Sequence, residues 1–161
     1  MELEMKIRGL MIDPATNMPI VILKDVSGDT VLPIWVGIYE ANAIALEVEK
    51  TTTIRPMTHD LLKNLIQGLN AEVQRIVVTE LRDDTFFAVI WMNQQGETVC
   101  IDARPSDAIA LAIRADCPIY VSEEVLRAAR IVPVESDQLA SEEHKRWFEN
   151  LNDEDLGRYK M

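Results

Sequence analysis

The sequence has two cysteines, Cys100 and Cys117, and two histidines among 161 residues. One pair of thiols cannot make the disulfide framework of a small secreted domain. Both cysteines lie in apolar, strand-like surroundings without a histidine neighbour in sequence, so they are expected to be buried free thiols and not nucleophiles. No apolar run approaches the ~20 residues that span a bilayer. The first residues, Met1-Glu2-Leu3-Glu4-Met5-Lys6, lack the basic start and apolar stretch of a signal peptide. A cytoplasmic protein without a membrane segment is expected. Basic charge is also scarce: 16 Lys and Arg stand against 27 Asp and Glu, a net charge of −11. Nucleic-acid affinity comes largely from Lys and Arg neutralising phosphates, and the longest basic run is Lys145-Arg146. A broad, non-specific nucleic-acid surface is therefore disfavoured. A small phosphate-directed site, or a metal that reverses the local charge, stays open. Walker loops, paired-cysteine zinc sites and nucleophile elbows are missing.

What is present is the patterning of one α/β (α+β) domain. Hydrophobic residues make up 48% of the chain, and its length suffices for a sizeable core. Strands are predicted over 4–12, 19–24 and 30–36, separated by turns at Asp13-Pro14 and Ser27-Gly28-Asp29. A helix follows from Gly37 to about Lys50 with the stripe Ile38, Ala41, Ile44, Ala45 and Val48. A second helix, N-capped by Thr58, carries Leu61, Leu62, Leu65, Ile66 and Leu69. Then the pattern restarts: strands over 73–81, 86–92 and 98–102, a helix from Arg104-Pro105 to about Ala115, a strand over 118–121 and a helix over 123–129. Gly28-Asp29-Thr30-Val31 recurs 68 positions later as Gly96-Glu97-Thr98-Val99, and Ala43-Ile44-Ala45-Leu46 recurs 65 positions later as Ala108-Ile109-Ala110-Leu111. Matching order and spacing point to a duplicated unit of strand, hairpin, strand and helix. Two mixed or antiparallel sheets flanked by helices, related by a pseudo-two-fold, are the expected result. Residues 1–134 form the domain in this reading. Residues 135–161 are a linker and a helical acidic tail with Trp147, Phe148 and Leu151. Three tryptophans and an aromatic tail lead to the expectation of a homo-oligomer, most simply a two-fold dimer.

Two joints concentrate polar residues: Arg55-Pro56-Met57-Thr58-His59-Asp60 and Asp102-Ala103-Arg104-Pro105-Ser106-Asp107. Each combines an Arg-Pro pair, a hydroxyl and an early Asp at a helix start. Helix N-termini present free N–H groups that suit phosphate, an adjacent Arg can clamp it, and carboxylates can hold Mg²⁺ or Mn²⁺. The architectural alternative is direct. Thr58 and Ser106 are good N-caps, Asp60, Asp107 and Glu40 complement helix dipoles, and the arginines pair with neighbouring carboxylates. His59, at the first helical position, is expected to face outward.

These residues also carry a resemblance. Leu32-Pro33-Ile34-Trp35-Val36-Gly37 with Glu40-Ala41, then Arg55 to Leu61, and above all Ile101-Asp102-Ala103-Arg104-Pro105-Ser106-Asp107-Ala108-Ile109-Ala110-Leu111 resemble three motifs of the bifunctional nuclease domain family. The resemblance extends to Trp147-Phe148-Glu149-Asn150-Leu151 and implies a nuclease acting on DNA and RNA. No catalytic assignment is carried over with it. From the chemistry at these positions, Asp102, Asp107, Glu40 and Asp60 are the candidate ligands of Mg²⁺ or Mn²⁺, which would activate water. His59, Asp102, Arg104 and Asp107 are the candidate catalytic residues, with His59 as general base or acid and Arg104 facing phosphate charge. Arg55, Thr58 and Ser106 are the candidate substrate contacts. The competing reading is a non-catalytic binding or assembly module that uses the same residues as caps and ion pairs.

Overall fold

The computed structural model describes residues 1–129. The elements in chain order are β1 (Glu2–Ile12), β2 (Pro19–Asp25), β3 (Val31–Trp35), α1 (Ile38–Val48), α2 (Thr58–Gly68), β4 (Ala71–Arg82), β5 (Thr85–Gln94), β6 (Glu97–Ala103), α3 (Pro105–Ala115), β7 (Ile119–Ser122) and α4 (Glu123–Ala128). The domain limit at 134 and the linker and tail expected beyond it lie outside the described residues. Among the described residues no helix is long and apolar enough to cross a membrane.

The strands form one seven-stranded mixed sheet in the order β3-β2-β1-β7-β4-β5-β6. β1-β2-β3 and β4-β5-β6 are each an antiparallel meander, followed by α1 and α3 respectively. β7 joins them, antiparallel to β1 and parallel to β4. The two meanders thus run in opposite directions about β7, an approximate two-fold normal to the sheet. The expected pair of sheets is corrected to a single one. Its physical cause is β7, whose four residues satisfy the inner edges of both meanders and fuse them.

Local chemistry explains the turns. Asp13 accepts hydrogen bonds from the Ala15 amide (2.9 Å), the Thr16 hydroxyl (2.9 Å) and the Trp35 indole (2.9 Å), which closes β1 onto β2 and ties β3 to the turn. These bonds, the Trp35 one foremost, hold the Asp13 carboxyl below the usual range. Asn17, Asp83, Asp84 and Gln95 take positive φ at the hairpin turns, where Asn and Asp are tolerated. Arg75 of β4 reaches Glu2 of β1 (2.8 Å) and lies over the rings of Trp91 in β5 (4.8 Å) and Tyr120 in β7 (5.7 Å), stitching the middle of the sheet.

Helices α1, α2 and α3 pack together, with α1 on β2 and α3 on β4 and β5. The core joins Val21, Leu23, Leu32 and Ile34 of the first meander to Ile76, Val78, Ala88 and Ile90 of the second through Ala41, Ile44, Ala108, Ile109 and Leu111. Small residues on α1 and α3 let the two helices approach closely. Ile38 and Val48, expected on the buried stripe of α1, are exposed at its two ends, and Ala41, Ile44 and Ala45 carry the burial.

Candidate active site

The starts of α1, α2 and α3 meet. Gly37 caps α1 without a side chain. A β-carbon there would collide with Glu40 Oε2, so the carboxylate of Glu40 folds back over the cap. Glu40 Oε1 lies 2.8 Å from Arg104 Nη2. Arg104 is the N-cap of α3, and Pro105 occupies the first helical position, where its missing N–H costs nothing. The expected cap at Ser106 is therefore corrected by two residues, and Ser106 is buried in the first turn. Arg104 turns back on its own helix: Nε and Nη2 lie 2.8 and 2.7 Å from Asp107 Oδ2. Asp107 first and Glu40 second raise the Arg104 pKa, keeping the guanidinium charged.

Asp107 also reaches across to α2. Its Oδ1 lies 2.9 Å from His59 Nε2. An ionised carboxylate only accepts, so Nε2 carries the proton in this pair, a tautomer assigned from the network. Nδ1 is then the acceptor. The imidazole is 11% exposed. The expectation that His59 faces outward is thus corrected. The pull of Asp107, a residue on a distant segment, turns it inward.

Asp60, one residue on, faces a different neighbour. Its Oδ2 accepts from the Met57 amide at 2.9 Å and caps α2, while Oδ1 lies 2.7 Å from Arg114 Nε. Met57, not Thr58, is the N-cap, and Thr58 is exposed at the first helical position. The Met57 bond first, and then Arg114, hold the Asp60 carboxyl below its usual range. Sequence patterning does not single out Arg114. Its side chain is 3% exposed and also donates to Ala110 O and Ala43 O, both at 2.8 Å. One guanidinium thereby fastens α1, α2 and α3. A signal exists: Arg114 interrupts an otherwise apolar run four residues after Ala110.

The remaining candidates stand apart. Arg55 is exposed and pairs with no carboxylate among the described residues. Asp102 is exposed on β6 and opposes Val89 across the ladder. Strand alternation places it on the sheet face opposite Ala103, whose partner Ala88 belongs to the core. Asp102 and His59 therefore point to different sides of the sheet.

As arranged, the four carboxylates do not fit a divalent cation. Asp107 and Glu40 share Arg104, Asp60 is committed to Arg114 and a backbone amide, and Asp102 lies across the sheet. No three His, Cys, Asp or Glu side chains converge as a ligand set among the described residues. The cationic position between Asp107 and Glu40 is filled by a guanidinium.

Comparison with known proteins adds lineage to this geometry. A family model described as the bifunctional nuclease domain matches residues 21–133. An uncharacterized protein of Mycobacterium tuberculosis strain H37Rv is 35% identical over 162 residues, spanning 95% of this chain and 97% of the relative. Bifunctional nuclease 1 of Arabidopsis thaliana is 27% identical over 136 residues, which cover 83% of this chain and 42% of the plant protein. Bifunctional nuclease 1 of Oryza sativa subsp. japonica is 26% identical over 132 residues, 77% and 40% of the two chains. The matched region is thus about two fifths of the plant proteins' length.

Proposed function

The chain belongs to the bifunctional nuclease domain family, and from that membership we propose that it hydrolyses phosphodiester bonds of DNA and RNA at the Asp107–His59–Arg104 cluster, in the cytoplasm. The observation that carries the proposal is the double engagement of Asp107, one oxygen on an imidazole and the other on a guanidinium. Asp107 fixes the tautomer of His59 so that Nδ1 takes the proton of the attacking water; the water oxygen bonds to phosphorus, the P–O bond to the leaving oxygen breaks, and His59 returns the proton to that oxygen. Arg104 is 65% exposed, and its Nη1 edge makes no bond among the described residues, so it faces substrate. Guanidinium donors match phosphate geometry and stabilise charge as the phosphorane forms. Glu40 braces Arg104 from the other side. Arg55, exposed on the loop before α2, is the candidate backbone contact, with Thr58 as a further one; Ser106, buried in the first turn of α3, would touch substrate only if that turn opened. Either Mg²⁺ or Mn²⁺ at this cluster would have to displace Arg104 from Glu40 and Asp107.

A second reading has its own support. Among the candidate carboxylates, Glu40, Asp60 and Asp107 all have partners that tie helix starts together, as a purely architectural network would require. The deciding assay uses purified protein on single- and double-stranded DNA and RNA, with Mg²⁺, with Mn²⁺ and with EDTA. Cleavage that persists in EDTA and disappears in a well-folded His59→Gln variant supports the proposal. Cleavage that EDTA abolishes, or that His59→Gln retains, rejects the metal-free dyad, and no cleavage by the unaltered protein on any substrate rejects the nuclease reading in favour of the assembly module.

A further inference from the structure

Helix α2 holds His59 and Ile66 toward the protein and turns three leucines away from it, with a fourth at its C-cap on the same side. Leu61, Leu62, Leu65 and Leu69 are between 36% and 66% exposed. At 100° per residue they fall within one arc of about 100°, along a helix about 16 Å long. Ile54 and Met57, just before the helix, are exposed as well. A clustered apolar surface of this kind marks an interaction site in a soluble protein.

We propose that this face of α2 is the interface of a two-fold homodimer, in which α2 packs antiparallel against α2 of a second copy. Charge selects the occupant. Each chain carries −11, so two copies repel over most of their surfaces. From Lys50 to Ala71 the sole acidic residue is Asp60, and Arg114 neutralises it. The α2 face therefore carries little of the acidic charge that would oppose a second copy. The pattern is also self-complementary. With the two-fold axis beside Leu65, Leu61 of one copy opposes Leu69 of the other, Leu65 opposes Leu65, and Lys63 opposes the neutral Gln67. Antiparallel helices also align their dipoles favourably. Ile54 and Met57 extend the patch toward the area of roughly 800 Å² per partner that a stable interface buries. The inference does not depend on the nuclease reading.

Sedimentation velocity on the full chain at about 50 µM, a concentration well above ordinary dimer dissociation constants, tests it. The unaltered protein should run at twice the chain mass. The double variant Leu61→Asp, Leu65→Asp should run as a monomer, with its dissociation constant raised at least about 100-fold. Its circular dichroism should be unchanged, because both side chains are exposed in the single chain, and its Tm should lose the dependence on protein concentration that a dimer shows. In a Cys100→Ser background, Leu65→Cys should form a disulfide-linked dimer on mild oxidation, since the two positions meet at the axis. A monomeric unaltered protein overturns the proposal. So does a dimer that survives the double substitution, or one in which Cys substituted at position 65 fails to cross-link.

Discussion

The two halves of the sheet share a plan and differ in what they do with it. Each is a three-stranded meander that hands the chain to an 11-residue helix. In the first half the helix starts with a bare Gly37 cap. In the second it starts with Arg104, Pro105 and Asp107, and it carries Arg114 in its last turn. Sixty-five positions earlier, the counterparts of Arg104, Asp107 and Arg114 are Tyr39, Asn42 and Glu49. Tyr39 and Glu49 are exposed. The second copy therefore collected the charged groups that tie the helices together. The first kept small residues that let them close, plus one carboxylate, Glu40, that answers Arg104. One copy of the unit supplies close packing while the other supplies the charges that cross between helices.

The sharpest way to break this asymmetry is Arg114→Met. It leaves the Ala43 carbonyl without its donor and Asp60 with the Met57 amide alone, and because Asp60 is 33% exposed the cost falls at the lower end of the roughly 3–5 kcal/mol for breaking a buried pair, about 3 kcal/mol. Denaturant titration should show that loss, whereas Glu49→Met in the first half should change little. Asp60, held by the Met57 amide first and Arg114 second, also sets an acid limb. The Asp60 carboxyl is lowered in the folded state, so its stabilisation is present above its ordinary value of 3.8 and is lost as pH falls through the lower folded value. Asp60→Asn should flatten that part of the stability–pH curve.

Asp107→Asn comes next. The shape is kept, but His59 loses the carboxylate that sets its tautomer and Arg104 loses its main partner. If cleavage runs through the dyad, its rate should fall about 100-fold, the usual worth of a positioned acid or base. Thermal melting measured on the same sample should move by only a few degrees.

Gly37→Ala probes the first half's single contribution. The backbone there, φ −69° and ψ 158°, suits alanine, so the effect comes from displacing the Glu40 carboxylate. Reduced freedom of the unfolded chain and the loss of one solvent-facing ion pair roughly cancel, leaving stability within about 1 kcal/mol of the unaltered protein. An Arg104 side-chain NMR signal should nevertheless shift. The smallest effect belongs to Asp102→Asn. Asp102 is exposed and lies across the sheet from His59, so the change should alter neither stability nor the barrier to cleavage beyond ~0.5 kcal/mol. A steep loss of activity there would place chemistry on the other face of the sheet.

Element order is readable from the sequence because hydrophobic periodicity and turn residues agree almost everywhere. Strand and helix limits fall within a few residues of those expected. What sequence does not show is what depends on distant neighbours. The apolar run around Cys100 predicts a buried thiol, yet it is exposed, because β6 is an edge strand and nothing in residues 97–103 says which strands lie outside. Cys117 is partly covered, and burial pushes its thiol up to about 11. His59 reads as a surface residue because Asp107 is 48 positions away. Of the candidate site, the Arg104-to-Asp107 joint and His59 are legible as polar residues at helix starts. Arg114 is not, because a lone arginine in an apolar helix gives no hint of the three acceptors it will find.

The central position of β7 carries a consequence for biosynthesis. Glu2 to Met5, among the first residues made, pair with Ile119 to Ser122, near the end of the described chain. Each meander can form as it leaves the ribosome, since its hydrogen bonds join strands close in sequence. The inner edges of β1 and β4 stay open until β7 is available, and open edges invite pairing with other chains. Long-range closure of this kind is also slow. During translation the protein therefore passes through a stage with two small sheets and two unsatisfied edges. Aggregation of chains interrupted before residue 119 is the hazard that this late strand creates.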